Sequence, residues 1–107
     1  MNSVYSEVAP SRSEVDAFAG ATLVEFGTDW CGFCKAAQPL LSSAMDQHPS
    51  LRHVKVEDGP GRRLGRSFHV KLWPTLIFML DGQEIARLVR PDDVESIELA
   101  LNQIDPV

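Results

Sequence analysis

The sequence predicts an α/β fold, with a central mixed β-sheet flanked by helices on both faces. Three observations carry that expectation. Two short apolar runs, ATLVEF at 21–26 and TLIFML at 75–80, have the length and composition of strands buried on both sides. Segments with helical spacing lie between and after them, which places helices over a sheet. A lone Asp81–Gly82 pair separates TLIFML from QEIARLV, and such a pair favours a tight hairpin, so the sheet ends in an antiparallel edge.

Taken in order, SVYSEV at 3–8 reads as an edge strand and SRSEVDAFA at 11–19 as a short helix. ATLVEF, bounded by Gly20 and Gly27, is the first buried strand. WCGFCKAAQPLLSSAMDQH at 30–48 continues as a helix. Ala37, Leu40, Leu41, Ala44 and Met45 share one face, and a kink is expected at Pro39. LRHVKVED at 51–58 sets Leu51, His53, Lys55 and Glu57 against Arg52, Val54, Val56 and Asp58, a strand alternation. GPGRRLGRSF at 59–68 is a turn leading into a short helix weakened by glycine. After the hairpin, PDDVESIELALNQI opens with Pro91 and two aspartates, which suit a first helical turn. Val94, Ile97, Leu101 and Ile104 form its apolar stripe. The predicted order is β, α, β, α, β, α, β, β, α.

A chain of 107 residues is expected to form one domain, 1–107, with a core of its own. A net charge of −5 argues against a nucleic-acid-binding surface. The longest apolar stretch, LWPTLIFML, is too short to span a bilayer, so no membrane association is expected. The N-terminus lacks a basic segment followed by an apolar one, which favours the cytoplasm.

Function turns on Cys31 and Cys34, the chain's only cysteines. As a structural disulfide they would close too small a loop to stabilise much by chain entropy. As zinc ligands they would need two more, and His48, His53 and His69 are scattered. As a redox pair they are well placed. A cysteine where a buried strand runs into a helix sits among unpaired N–H groups that stabilise a thiolate. Cys31 receives most of this, whereas Cys34 lies one turn later and is more enclosed. That asymmetry suits disulfide exchange, with Cys31 attacking and Cys34 resolving the mixed disulfide.

Two stretches, LVEFGTDWCGFCKAAQP and WPTLIFMLDGQEI, resemble the active-site region and the cis-proline-to-hairpin region of the thioredoxin family. The resemblance runs from about Val4 to Ile104. It implies a thioredoxin fold and a thiol–disulfide oxidoreductase that reduces protein disulfides through Cys31 and Cys34. Pro74 would be the cis-proline facing them, Trp30 would flank the site, Glu25 would be the buried acid behind Cys34, and Lys55 would neighbour that acid. Gly32, Phe33, Trp73 and Arg90 join Trp30 as expected substrate-binding residues. No cofactor and no metal are implied. The partners implied are protein disulfides and a disulfide-reducing electron donor such as a thioredoxin reductase, with the chain acting as a monomer.

The departures from the family pattern are specific. Gly32-Phe33 replaces the usual Gly-Pro, so Phe33 restores an N–H that is expected to stabilise the Cys31 thiolate and make the pair more oxidising. The aromatic residue usual two positions after the acid is absent, with Gly27-Thr28 in that stretch. Glu25 replaces an aspartate, Trp73 a smaller residue, and Arg90 a glycine. Glu25 in an apolar run is expected to lose hydration, to have its pKa raised, and to accept the Cys34 proton. Each has a plainer reading: Glu25 or Lys55 turned to solvent, Trp30 in the core, Trp73 covering a sheet end, the histidines at the surface or otherwise satisfied, and the arginines of GRRLGR a solvated face. Two other functions stay open, a partner-binding module that uses the cis-proline groove and a more oxidising disulfide isomerase. Reduction of insulin in the presence of dithiothreitol separates the binding module from an enzyme.

Overall fold

The computed structural model describes residues 4–107, so Ser3 of the expected first strand lies outside the described residues. The elements are α1 (Arg12–Asp16), β1 (Ala21–Gly27), α2 (Gly32–Met45), β2 (Arg52–Glu57), α3 (Arg63–Ser67), β3 (Thr75–Leu80), β4 (Gln83–Val89) and α4 (Val94–Ile104). The strands form a mixed sheet in the order β2-β1-β3-β4. β1 runs parallel to β2 and antiparallel to β3, and β3 pairs antiparallel with β4.

The expected first strand is reduced to one parallel bridge, Ser6 to Val56. Ser6 donates its N–H to Lys55 and accepts from Glu57 N–H through its carbonyl. Its hydroxyl then turns to the backbone of Val8, donating to the carbonyl at 3.0 Å and lying 3.2 Å from the amide. That local bonding competes with a longer ladder, and Pro10 then removes a donor.

The two apolar runs are buried throughout because their alternate residues feed two cores. Leu23, Leu76 and Phe78 pack under α2 and α4, against Leu41, Ile97 and Leu101 among others. Val24, Phe26, Ile77 and Met79 face the other way, against Val15 of α1 and Leu64 and Phe68 of the α3 region. Burying each such side chain is worth about 1.5–3 kcal/mol, so neither face can be left bare. The expected α4 stripe is present with Ala100 added and Val94 at its edge, while Leu40 and Met45 flank the buried face of α2. α2 continues through Pro39.

Local chemistry sets the ends. Ser11 and Glu14 make a reciprocal capping box at α1, and the Asp93 carboxylate accepts Ser96 N–H at 3.0 Å to start α4. Asp81 and Gly82 both have positive φ, 49° and 79°, which a two-residue hairpin matched to strand twist requires. A Cβ at Gly82 would lie 2.0 Å from the Asp16 carbonyl oxygen, so the turn is seated against the end of α1. On the α2 face of β1, Leu23 is followed by Glu25 and then Gly27. This line leads from the core to the cysteines.

Candidate active site

Cys31 is the N-cap of α2, with extended backbone, and its sulfur accepts the Cys34 N–H at 3.2 Å. A sulfur in that position faces the positive end of a helix. Both cysteines are free thiols, Cys31 7% and Cys34 1% exposed, so Cys31 is the more accessible. Burial, and then the hydrogen bond to Cys31, push the Cys34 thiol up to about 12; hydrogen bonds with Thr28 and Tyr5 offset part of this. Cys34 therefore holds its proton in the dithiol state.

Trp73 packs against the cysteines and is joined to Pro74 by a cis bond. Trp30 is 71% exposed and meets Trp73 edge to face at 5.8 Å. The Trp73 indole N–H donates to Asp58 at 2.9 Å, which fixes the ring. Arg90, at φ 51°, donates its N–H to the Pro74 carbonyl and its Nε–H to the Trp73 carbonyl at 2.8 Å. Its guanidinium lies 3.9 Å over the Phe33 ring. Arg90 thus links the Phe33 ring to the Trp73–Pro74 backbone, while Gly32 is exposed with no atom within 4 Å of the position its Cβ would take.

The expected role of the Phe33 N–H is corrected here. The bond to the Cys31 sulfur comes from Cys34, one residue later, and what Phe33 contributes is an exposed ring under Arg90. Phe33→Pro is therefore expected to move the reduction potential of the pair by less than about 30 mV, the equivalent of about 1.4 kcal/mol. Titration in a glutathione buffer checks this, and a drop of several tens of millivolts would restore the amide to the argument.

Behind the cysteines lies a buried polar cluster. Glu25 is fully buried, so it does not turn to solvent. Its Oε2 accepts from the Tyr5 hydroxyl and from Gln38 Nε2 at 2.9 Å, and its Oε1 lies 2.8 Å from His53 Nε2. Lys55 pairs in register with Glu25 across the parallel strands, is 3% exposed, donates to Gln38 Oε1 at 2.8 Å and sits over the Tyr5 ring. The expected rise in the Glu25 pKa is overturned. Burial does push it up, but the hydrogen bonds from His53, Tyr5 and Gln38, with the charge of His53, hold it below the ordinary carboxylate range. Glu25 is a carboxylate near neutral pH.

Residues 6–103 match the model of the Thioredoxin family. The chain belongs to the thioredoxin family. It is 59% identical to thioredoxin 2 of Pseudomonas aeruginosa PAO1, solved in its reduced form, with a TM-score of 0.87 over 97% of this chain and 96% of that one. It is 30% identical to a thioredoxin of Chlamydia pneumoniae, across 87% of this chain and 93% of the relative. A thioredoxin of Chlamydia trachomatis is 32% identical, across 85% and 90% respectively. The fold is the thioredoxin fold, and the function is that of a thiol–disulfide oxidoreductase with Cys31 and Cys34 at the active-site position. Among the described residues, no three His, Cys, Asp or Glu side chains gather as metal ligands, and no helix is long and apolar enough to cross a membrane.

Sequence reading passed over Tyr5, Gln38 and His53. Two of them had a signal. Gln38 follows Cys34 by one helical turn, on the face that meets β1, and His53 precedes Lys55 by two on an alternating strand. For His53 the plain expectation, surface or satisfied, resolves to the second: its side chain is 6% exposed and bound to Glu25. Tyr5 had only an indirect signal, the missing aromatic at Gly27. A Cβ there would lie 2.6 Å from the Cys34 sulfur and 2.7 Å from both Tyr5 Cζ and the Tyr5 hydroxyl. Gly27 leaves the space that the Tyr5 ring fills from another part of the chain.

Proposed function

We propose that the protein reduces disulfide bonds in other proteins, as a cytoplasmic single-domain monomer, and is re-reduced by a disulfide-reducing donor of the thioredoxin-reductase kind. The observation that carries the roles is the asymmetry of the two sulfurs: Cys31 caps the helix at the more accessible edge, and Cys34 is enclosed and protonated. In the forward reaction the Cys31 thiolate attacks one sulfur of the substrate disulfide. A Cys31–substrate disulfide forms, the substrate S–S bond breaks, and the other substrate sulfur leaves as a thiolate. Cys34 then gives up its proton and attacks the Cys31 sulfur. The Cys31–Cys34 bond forms as the mixed disulfide breaks, so two electrons pass to the substrate and the protein is left oxidised. Pro74, Trp73, Trp30, Gly32, Phe33 and Arg90 surround the place where the substrate chain docks. Glu25 is the carboxylate that serves the Cys34 proton. The cytoplasm suits this direction, because its thiol pools keep such a dithiol reduced.

Cys34→Ser is expected to accumulate a mixed disulfide between Cys31 and a substrate protein, and Cys31→Ser none. In the reduced wild-type protein, iodoacetamide at neutral pH is expected to label Cys31 first. Labelling of Cys34 first would reverse the roles, and failure to reduce insulin in the presence of dithiothreitol would remove the reductase reading.

A further inference from the structure

The Cys34 sulfur and the Glu25 carboxylate are both buried, and the Tyr5 hydroxyl stands between them. It is bonded to Glu25 Oε2 and packs in one cluster with both cysteines. The void at Gly27 brings sulfur and hydroxyl together, since both would crowd the same Cβ. Valence fixes the direction of this chain of bonds. An ionised carboxylate only accepts, so the Tyr5 O–H must point at Glu25. The phenolic oxygen is left with lone pairs to accept, and the one side-chain donor that Cys34 can offer it is its S–H. We propose that Tyr5 is a catalytic residue that relays the proton of Cys34 to Glu25 as the mixed disulfide is resolved.

The step balances without any further reactant. The S–H proton of Cys34 passes to the Tyr5 oxygen while the Tyr5 proton passes to Glu25 Oε2. The Cys34 sulfur, now carrying the electron pair, bonds to Cys31, and the substrate sulfur leaves with the pair from the broken bond. Tyr5 ends as it began and Glu25 ends as a carboxylic acid. The same path runs in reverse when the Cys31–Cys34 disulfide is reduced and Cys34 must regain a proton. The other groups facing the hydroxyl support this polarity. Gln38 Nε2 lies 3.4 Å from the Tyr5 oxygen, the Lys55 ammonium sits 4.7 Å from the ring centre, and His53 holds the far oxygen of Glu25. Burial, together with the charge of Glu25, keeps the phenol proton on Tyr5 well above ordinary pH, so Tyr5 passes a proton on without being left as a phenolate.

The inference rests on the proposed roles of the two cysteines, and one experiment tests the two separately. In stopped flow, the reduced protein is mixed with 5,5′-dithiobis(2-nitrobenzoate). One thionitrobenzoate leaves when Cys31 attacks and a second when Cys34 resolves the adduct. Tyr5→Phe keeps the ring over Gly27 and removes only the hydroxyl. It is expected to leave the first phase unchanged within about twofold and to slow the second at least about tenfold, at the modest end for loss of a proton-transfer group. Its second phase is also expected to climb about tenfold per pH unit from 6 to 8, because attack must await a preformed Cys34 thiolate, whereas the wild-type phase stays nearly flat. A proton inventory of the wild-type second phase in mixed H2O and D2O needs no variant, and two protons in flight give a bowed plot. A second phase in Tyr5→Phe that matches wild type in rate and pH slope would overturn the relay, as would a linear inventory. A first phase of wild-type rate in Cys31→Ser would instead defeat the cysteine assignment.

Discussion

Glu25→Gln is expected to lower unfolding free energy by about 3 kcal/mol at pH 7 in the reduced protein, and to slow resolution by Cys34 about a hundredfold. The carboxylate receives hydrogen bonds from Tyr5, Gln38 and His53, which come from the N-terminal segment, α2 and β2. An amide offers one acceptor oxygen and turns its own NH2 toward groups that also donate. At least one buried donor then goes unmet, and the negative charge opposite Lys55 is lost. In an apolar site without these bonds, removing an ionisable group would instead stabilise the fold. The pH dependence has a definite sign. Glu25 has a folded pKa below its ordinary value of 4.5, so its contribution is in full force above about pH 4.5 and is lost as pH falls through the folded value. The gap between wild type and Glu25→Gln is therefore expected to be widest near pH 7 and to narrow in acid. Urea unfolding at a series of pH values checks this. A variant equally or more stable at pH 7 would mean that the hydrogen bonds do not outweigh the burial of charge.

Gly27→Ala is expected to cost about 2–3 kcal/mol, although it adds one methyl group to a strand. The φ of Gly27 places no demand on glycine; the space does. With 2.6 Å to the Cys34 sulfur and 2.7 Å to the Tyr5 hydroxyl, something must move. Cys34 is fixed in the first turn of α2, so Tyr5 is the group that yields, and its bond to Glu25 breaks. Tyr5→Ala in the same chain removes one of the two obstacles and leaves the Cys34 sulfur. The double variant is expected to lose less stability than the sum of the single losses, by about 1 kcal/mol or more. Strict additivity in urea unfolding would show that Gly27 and Tyr5 do not compete for one space.

Most of the sheet and every helix were legible because apolar periodicity and turn chemistry are local. ATLVEF and TLIFML show their double burial directly, and Asp81–Gly82 allows little but a tight hairpin. Cys31 and Cys34 were legible for the same reason, lying within four consecutive positions at a strand-to-helix junction. The misread parts depend on groups far apart in sequence. The charge state of Glu25 is set by residues 5, 38 and 53, and its flanking strand shows only that it is dry. Val4–Val8 has strand-like composition, but the Ser6 hydroxyl bonding to Val8 ends the ladder after one bridge. The N–H bonded to the Cys31 sulfur belongs to Cys34 and not to Phe33, a difference that a helix cap decides and composition does not.

The bridge at Ser6 has a consequence for how the protein breathes. The rear wall of the dithiol pocket hangs on a short strap, tied by Tyr5 N–H to Asp29 at 3.0 Å and by the two backbone bonds of Ser6. Detaching a strap of this kind costs far less than melting the sheet beneath it. Were it to detach, solvent would gain a back entrance to the Cys34 sulfur while every strand of the sheet stayed paired. The amides of Ser6 and Glu57 make those backbone bonds, and their hydrogen exchange would count any such opening.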